Sequence, residues 1–84
     1  MARILYFAWL RERMGRTEEA LTLPAGVATV GELVAFLRER DDAGGQAFAH
    51  PATVRAAVNQ EFATPDSPVQ DADEIAFFPP VTGG

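Results

Sequence analysis

Few side chains in this sequence can do covalent chemistry, and none sits in a constellation that would make it do so. There is no cysteine, which excludes disulfides, zinc–thiolate sites and iron–sulfur clusters. His50 is the single histidine; beside Pro51, with no second imidazole or thiol to share a metal, it reads as a surface residue. Ser67 has no histidine–acid pair to activate it. Asp66, Asp71, Asp73 and Glu74 read as solvated turn carboxylates rather than a cation site. Gly44-Gly45 is followed by neither lysine nor serine, so it is no phosphate loop. What remains is the α-carboxylate of Gly84. An apolar run from Ile75 to Phe78 leads to it and suits a buried strand. Pro79-Pro80 ends that strand, because proline donates nothing to a sheet ladder and fixes φ near the polyproline value. Val81, Thr82, Gly83 and Gly84 follow. The two glycines lack Cβ atoms, so they can thread a narrow channel and adopt φ values closed to other residues. If the chain carries a group, the group rides on this carboxylate.

The segment Asp73-Glu-Ile-Ala-Phe-Phe-Pro-Pro-Val-Thr-Gly-Gly84 resembles the C-terminus of the small subunits of molybdopterin synthase. These belong to the ubiquitin-like sulfur carriers, together with the thiamine-pathway carrier. The likeness continues through Ala57-Val-Asn-Gln60 and the N-terminal strand. Ala72 departs from it, since the family usually carries glycine before the Asp-Glu pair. The resemblance implies a ubiquitin-like β-grasp over residues 1–78 and an extended tail over residues 79–84. It also implies a chemistry. An activating enzyme spends ATP to adenylate Gly84, a sulfur donor displaces the adenylate, and the resulting thiocarboxylate enters the large synthase subunit. There sulfur passes to a cyclic pyranopterin phosphate to build the dithiolene. Catalytic side chains lie in that partner, so the chain itself is a carrier rather than an enzyme. A thiamine-pathway carrier, a ubiquitin-like modifier joined to target lysines and a plain interaction module are the alternatives.

Composition fits this reading. Eighty-four residues, 48% hydrophobic and 23% charged, make one small globular domain. A net charge of −5 argues against binding a nucleic-acid backbone. No apolar stretch reaches membrane-spanning length and no signal-peptide pattern opens the chain, so a cytoplasmic location is expected. No bound cofactor and no metal are expected. All basic residues are arginine, which closes self-conjugation through lysine.

The elements that must position the tail read in order. Arg3–Ala8 forms a strand with Ile4 and Tyr6 on one face and Leu5 and Phe7 on the other. Trp9–Met14 is a short helix capped by Gly15. Thr17–Leu23 is a second strand, with Ala20 and Leu21 as inward contacts, ended by Pro24-Ala-Gly26. Thr29-Val-Gly-Glu32 is a capping box. It opens a helix over Val30–Arg40 whose apolar face is Val30, Leu33, Val34 and Leu37, widened by Phe36, with Arg38 and Arg40 in solvent. Asp41–Gly45 reads as a flexible break, and Phe48 as an anchor. Val54–Asn59 and Glu61–Ala63 form a hairpin through Asn59-Gln60. The sum is an α+β domain, a mixed sheet with one main helix across one face. That helix covers one side only. Leu5, Phe7, Phe62 and Phe78 are then expected on the other, as an apolar docking patch. Arg11 is a candidate for pairing with a partner carboxylate.

Overall fold

In the computed structural model, which describes residues 1–80, apolar alternation resolves into five strands. β1 (Ala2–Tyr6) buries Ala2, Ile4 and Tyr6 and leaves Arg3 exposed. α1 (Trp9–Met14) buries Leu10 and Met14 and stops at Gly15. Gly15 has φ 74° and donates its N–H to the Arg11 carbonyl, a conformation glycine adopts without a Cβ clash. β2 (Glu18–Leu21) runs antiparallel to β1. Here one expectation is corrected. Neighbouring residues on a strand point to opposite faces, so Ala20 is exposed and Glu19 turns inward with Leu21.

α2 (Val30–Arg40) begins as expected, with the Thr29 hydroxyl accepting the Glu32 N–H. The Glu32 carboxylate reaches one residue further back than in the usual capping box, to the N–H of Ala28. Val30, Leu33 and Leu37 are buried against the sheet. The Asp41–Gly45 stretch is a second correction. It is no flexible break but the start of α3 (Asp42–Ala47), capped by Asp41 accepting the Gly44 N–H at 2.8 Å. Phe48, fully buried, anchors this helix edge-on against Phe77. A single 3₁₀ turn over Pro51–Thr53 leads into β3 (Arg55–Val58). β4 (Glu61–Ala63) and β5 (Glu74–Phe78) complete the sheet.

The strand order is β2-β1-β5-β3-β4, with β5 at the centre, parallel to β1 and antiparallel to β3. This is the expected mixed sheet with the first and last strands adjacent. The core lies between its inner face and the helices, around Ile4, Leu33, Leu37, Ile75 and Phe77.

Candidate functional site

The tail follows in sequence on the central strand of the sheet. Parallel register sets Ile4 beside Ile75 and Tyr6 beside Phe77. The Phe7 N–H donates to the Phe77 carbonyl at 3.0 Å, while on the other flank Arg55 is the register partner of Phe78. A strand paired on both sides fixes where the chain exits. Pro79 and Pro80 follow, half-buried. Val81, Thr82, Gly83 and Gly84, the expected channel segment and reacting carboxylate, lie outside the described residues.

The far end of β5 is held by side chains. Asn59 and Gln60 take φ of 51° and 72°, both positive as a two-residue type I′ hairpin requires. Asn59 also clamps the turn to β5. Its amide oxygen accepts the Glu74 N–H at 3.0 Å and its amide nitrogen donates to Asp73 at 3.0 Å. Sequence reasoning recognised the turn but not this clamp; an asparagine ahead of a strand-starting Asp-Glu pair was the available signal. Asp73 also accepts the Gln70 N–H, and Asp71 accepts the Leu23 N–H. Two carboxylates of the acidic cluster thus tie down loops.

Period-2 alternation sorts β5 into Ile75 and Phe77 inward, Ala76 and Phe78 outward. Across the outer face the registers align Leu5, Ala76, Ala57 and Phe62 in one row. Phe78 lies in the next row, its ring centroid 6.0 Å from that of Phe62. Phe62 is 87% exposed and Phe7 47%, while Leu5 and Phe78 are half-buried. The four sequence-selected apolar residues therefore share one side of the sheet. The segment from Gln46 to Pro51 does not cover them, because its Phe48 packs on the inner side. Arg11 is exposed on α1, and no described contact joins it to the patch.

A polar cluster steadies the inner end of β1 beside the tail root. Glu19 accepts the Tyr6 hydroxyl at 2.7 Å and two bonds from Arg40 at 2.7 and 3.0 Å, with Arg16 at 3.1 Å. Arg40 was expected in solvent; instead its guanidinium is drawn in by the inward turn of Glu19. Burial pushes the Glu19 carboxyl up, but the bonds from Arg40 and Tyr6 and the charges of Arg40 and Arg16 outweigh it and hold the group below its usual range. Burial, then the bond to Glu19, pushes the Tyr6 phenol well above its ordinary value. The bond to Glu19 likewise raises Arg40. The cluster ties β1, β2 and α2 to one another, so its role is architectural.

Comparison with known proteins agrees with this geometry. Residues 4–84 match the ThiS family. The molybdopterin synthase sulfur carrier subunit of Escherichia coli (strain K12) is 39% identical over 84 residues, the whole of both chains. The solved structure of a putative molybdopterin converting factor, subunit 1, from Pyrococcus furiosus superposes with a TM-score of 0.77 at 30% identity. It covers 95% of this chain and 97% of that one. Subunit 1 in the Helicobacter pylori complex of subunits 1 and 2 of molybdopterin-converting factor is similar in fold, with a TM-score of 0.64 at 19% identity over 99% and 97% of the two chains.

Proposed function

Because this chain belongs to the ThiS family, we propose that it is the sulfur carrier subunit of a molybdopterin synthase, working through its terminal carboxylate. The observation that carries the reading is likeness across the whole chain to a subunit of that name, with the Gly-Gly end included in the family match. A carboxylate resists nucleophiles because its charge is delocalised over two oxygens, so it must first be activated. The Gly84 carboxylate attacks the α-phosphate of ATP on an adenylating enzyme, and pyrophosphate leaves. Sulfide-level sulfur (HS⁻) released by a sulfur donor then attacks the acyl carbon, AMP leaves, and loss of a proton gives the thiocarboxylate. In the large subunit that sulfur bonds to a cyclic pyranopterin phosphate, water then attacks the acyl carbon and cleaves the acyl–sulfur bond, and the carboxylate is regenerated.

The chain's own part is positional. β5, paired on both flanks, launches the tail; Pro79-Pro80 stiffens its first step; the outer-face patch of Leu5, Phe7, Phe62 and Phe78 docks on the partner. A relative in complex with a subunit 2 supports the large subunit as that partner. The test is incubation with ATP, a competent activating enzyme and a sulfur donor, followed by intact-mass and C-terminal peptide spectra. Replacement of one oxygen of Gly84 by sulfur is expected. An unchanged mass, with the same enzyme loading a cognate carrier, would refute the reading.

A further inference from the structure

Alternation places two unpaired charges on the open side of the sheet, beside the apolar residues. On β5, Glu74 shares the outward face of Ala76 and Phe78. On β3, Ala56 is the buried residue, so Arg55 and Ala57 turn outward. Arg55 is exposed beside its register partner Phe78, at the C-terminal end of β5. Glu74 stands at the other end of β5, beside Arg3, which is itself paired with Glu18. Among the described residues neither Arg55 nor Glu74 makes an ion pair. Between them runs the row of Leu5, Ala76, Ala57 and Phe62. The face thus carries a cation on one side of an apolar row and an anion on the other.

Such a face is complementary to itself. Two copies laid face to face, with a two-fold axis along the row, run their strands in opposite directions and meet through the same surface. The Arg55 end of one copy then covers the Glu74 end of the other. Four residues separate those ends, about 13 Å at about 3.3 Å each, and the two residues stand on neighbouring strands about 4.8 Å apart. That sideways step is taken up by the roughly 30° at which aligned sheets cross. Ala76 and Ala57 at the axis let the sheets approach, and Phe62, 87% exposed, meets the Phe62 of the other copy. We propose that the outer face binds the same face of a second copy, in a two-fold dimer that pairs Arg55 of each with Glu74 of the other. Four large apolar side chains a copy fall short of the roughly 20–30 residues a side of a stable complex, so the dimer forms and dissolves with concentration. It keeps the patch out of water until a partner displaces the second copy. That displacement rests on the proposed function; the dimer itself does not.

Analytical ultracentrifugation of the full chain alone, from about 10 µM to about 1 mM, spans weak association of this kind. The mass should rise from monomer toward dimer and stop there, because a closed two-fold leaves no patch free. Monomer throughout, or growth beyond the dimer, would overturn the proposal. Phe62→Asp should leave a monomer, and an undisturbed dimer would place the contact on another face. Arg55→Glu and Glu74→Arg should each weaken the dimer by about tenfold or more, since two facing pairs become like charges. Combining them should bring the dissociation constant back to within about threefold of wild type. Two weakened single variants with no recovery in the double would overturn the pairing. Should Glu74→Arg not fold beside Arg3, then Arg55→Gln, Glu74→Gln and their combination form the same cycle. The double then weakens the dimer no more than either single does, and a fully additive loss would overturn the pairing. These measurements contain no ATP and no large subunit. A failed dimer therefore leaves the sulfur-carrier reading standing, and failed sulfur loading leaves the dimer standing.

Discussion

Ala72 has φ 80°, a left-handed conformation that costs an L-residue roughly 1–2 kcal/mol. It stands in the turn that delivers β5, where Asp73 donates to the Gln70 carbonyl and accepts the Gln70 N–H. Glycine there removes the strain, offset by about 0.4–1 kcal/mol of extra freedom in the unfolded chain. Ala72→Gly should therefore stabilise the protein by about 0.5–1 kcal/mol, a rise of about 3–6 °C in Tm for a domain of this size, readable by thermal melts. The resemblance pointed to this turn, because Ala72 is where the sequence departs from it. Its positive φ was not legible, since alanine carries no signature of that conformation. At Gly83 the prediction concerns reactivity. Gly83→Val should leave Tm within about 3 °C, because it stands beyond the last strand of the chain and a substitution outside the packed elements rarely moves stability by more than about 0.5 kcal/mol. It should nevertheless slow adenylation or sulfur transfer, because a β-branched side chain restricts φ and widens the tail. Turnover equal to wild type in a coupled sulfur-transfer assay would reject the narrow-channel argument.

Elements with strong period and caps were legible and weaker ones were not. α2 spans the Val30–Arg40 range expected, because its stripe and its Thr29–Glu32 cap agree. α3 escaped notice because Asp42-Ala-Gly-Gly-Gln-Ala47 holds two glycines, each about 1 kcal/mol worse than alanine in a helix, and too few residues for a period. What overrides propensity is packing. A Cβ on Gly44 would fall inside van der Waals contact with the Leu37 carbonyl oxygen, so only glycine lets α3 close onto the end of α2. Gly44→Ala, favourable by helix propensity, should instead destabilise by about 2 kcal/mol or more through backbone displacement, as denaturant titration would register. Sheet faces followed from alternation alone, and with them the shared side of Leu5, Phe7, Phe62 and Phe78. Phe7→Ala should weaken binding to the large subunit by about tenfold, near 1.4 kcal/mol, with little loss of stability because the ring is 47% exposed. Phe78→Ala should weaken it comparably but also cost some stability, through its contact with Phe62. Calorimetric titration reads both, and unchanged affinity in both variants would place the docking surface elsewhere.

At the scale of the whole molecule, one carboxylate joins three elements: Glu19 of β2 binds Tyr6 of β1 and Arg40 of α2. No pattern in the sequence announced this, since it depends on Glu19, rather than the expected Ala20, turning inward with Leu21. Its signature is a stability plateau bounded on both sides. Glu19 titrates below its ordinary value when folded, so the unfolded chain takes up a proton first as pH falls. Its contribution is present above the unfolded value of about 4.3 and fades as pH drops toward and through the lower folded value. Tyr6 behaves oppositely. Its folded phenol is raised, so its contribution holds below about 10, the unfolded value, and fades as pH rises beyond it. Arg40 stays charged throughout, its value raised by Glu19. Glu19→Gln should cost about 2 kcal/mol near neutrality, the scale of hydrogen bonds to charged groups, and the gap from wild type should close progressively below about pH 4.3. Tyr6→Phe should flatten the alkaline decline above about pH 10 while leaving the acid limb in place. Denaturation midpoints of the three proteins across that range check both slopes. A Glu19→Gln gap that stays constant from neutral to acid pH would mean the carboxylate's charge does not hold β1, β2 and α2 together.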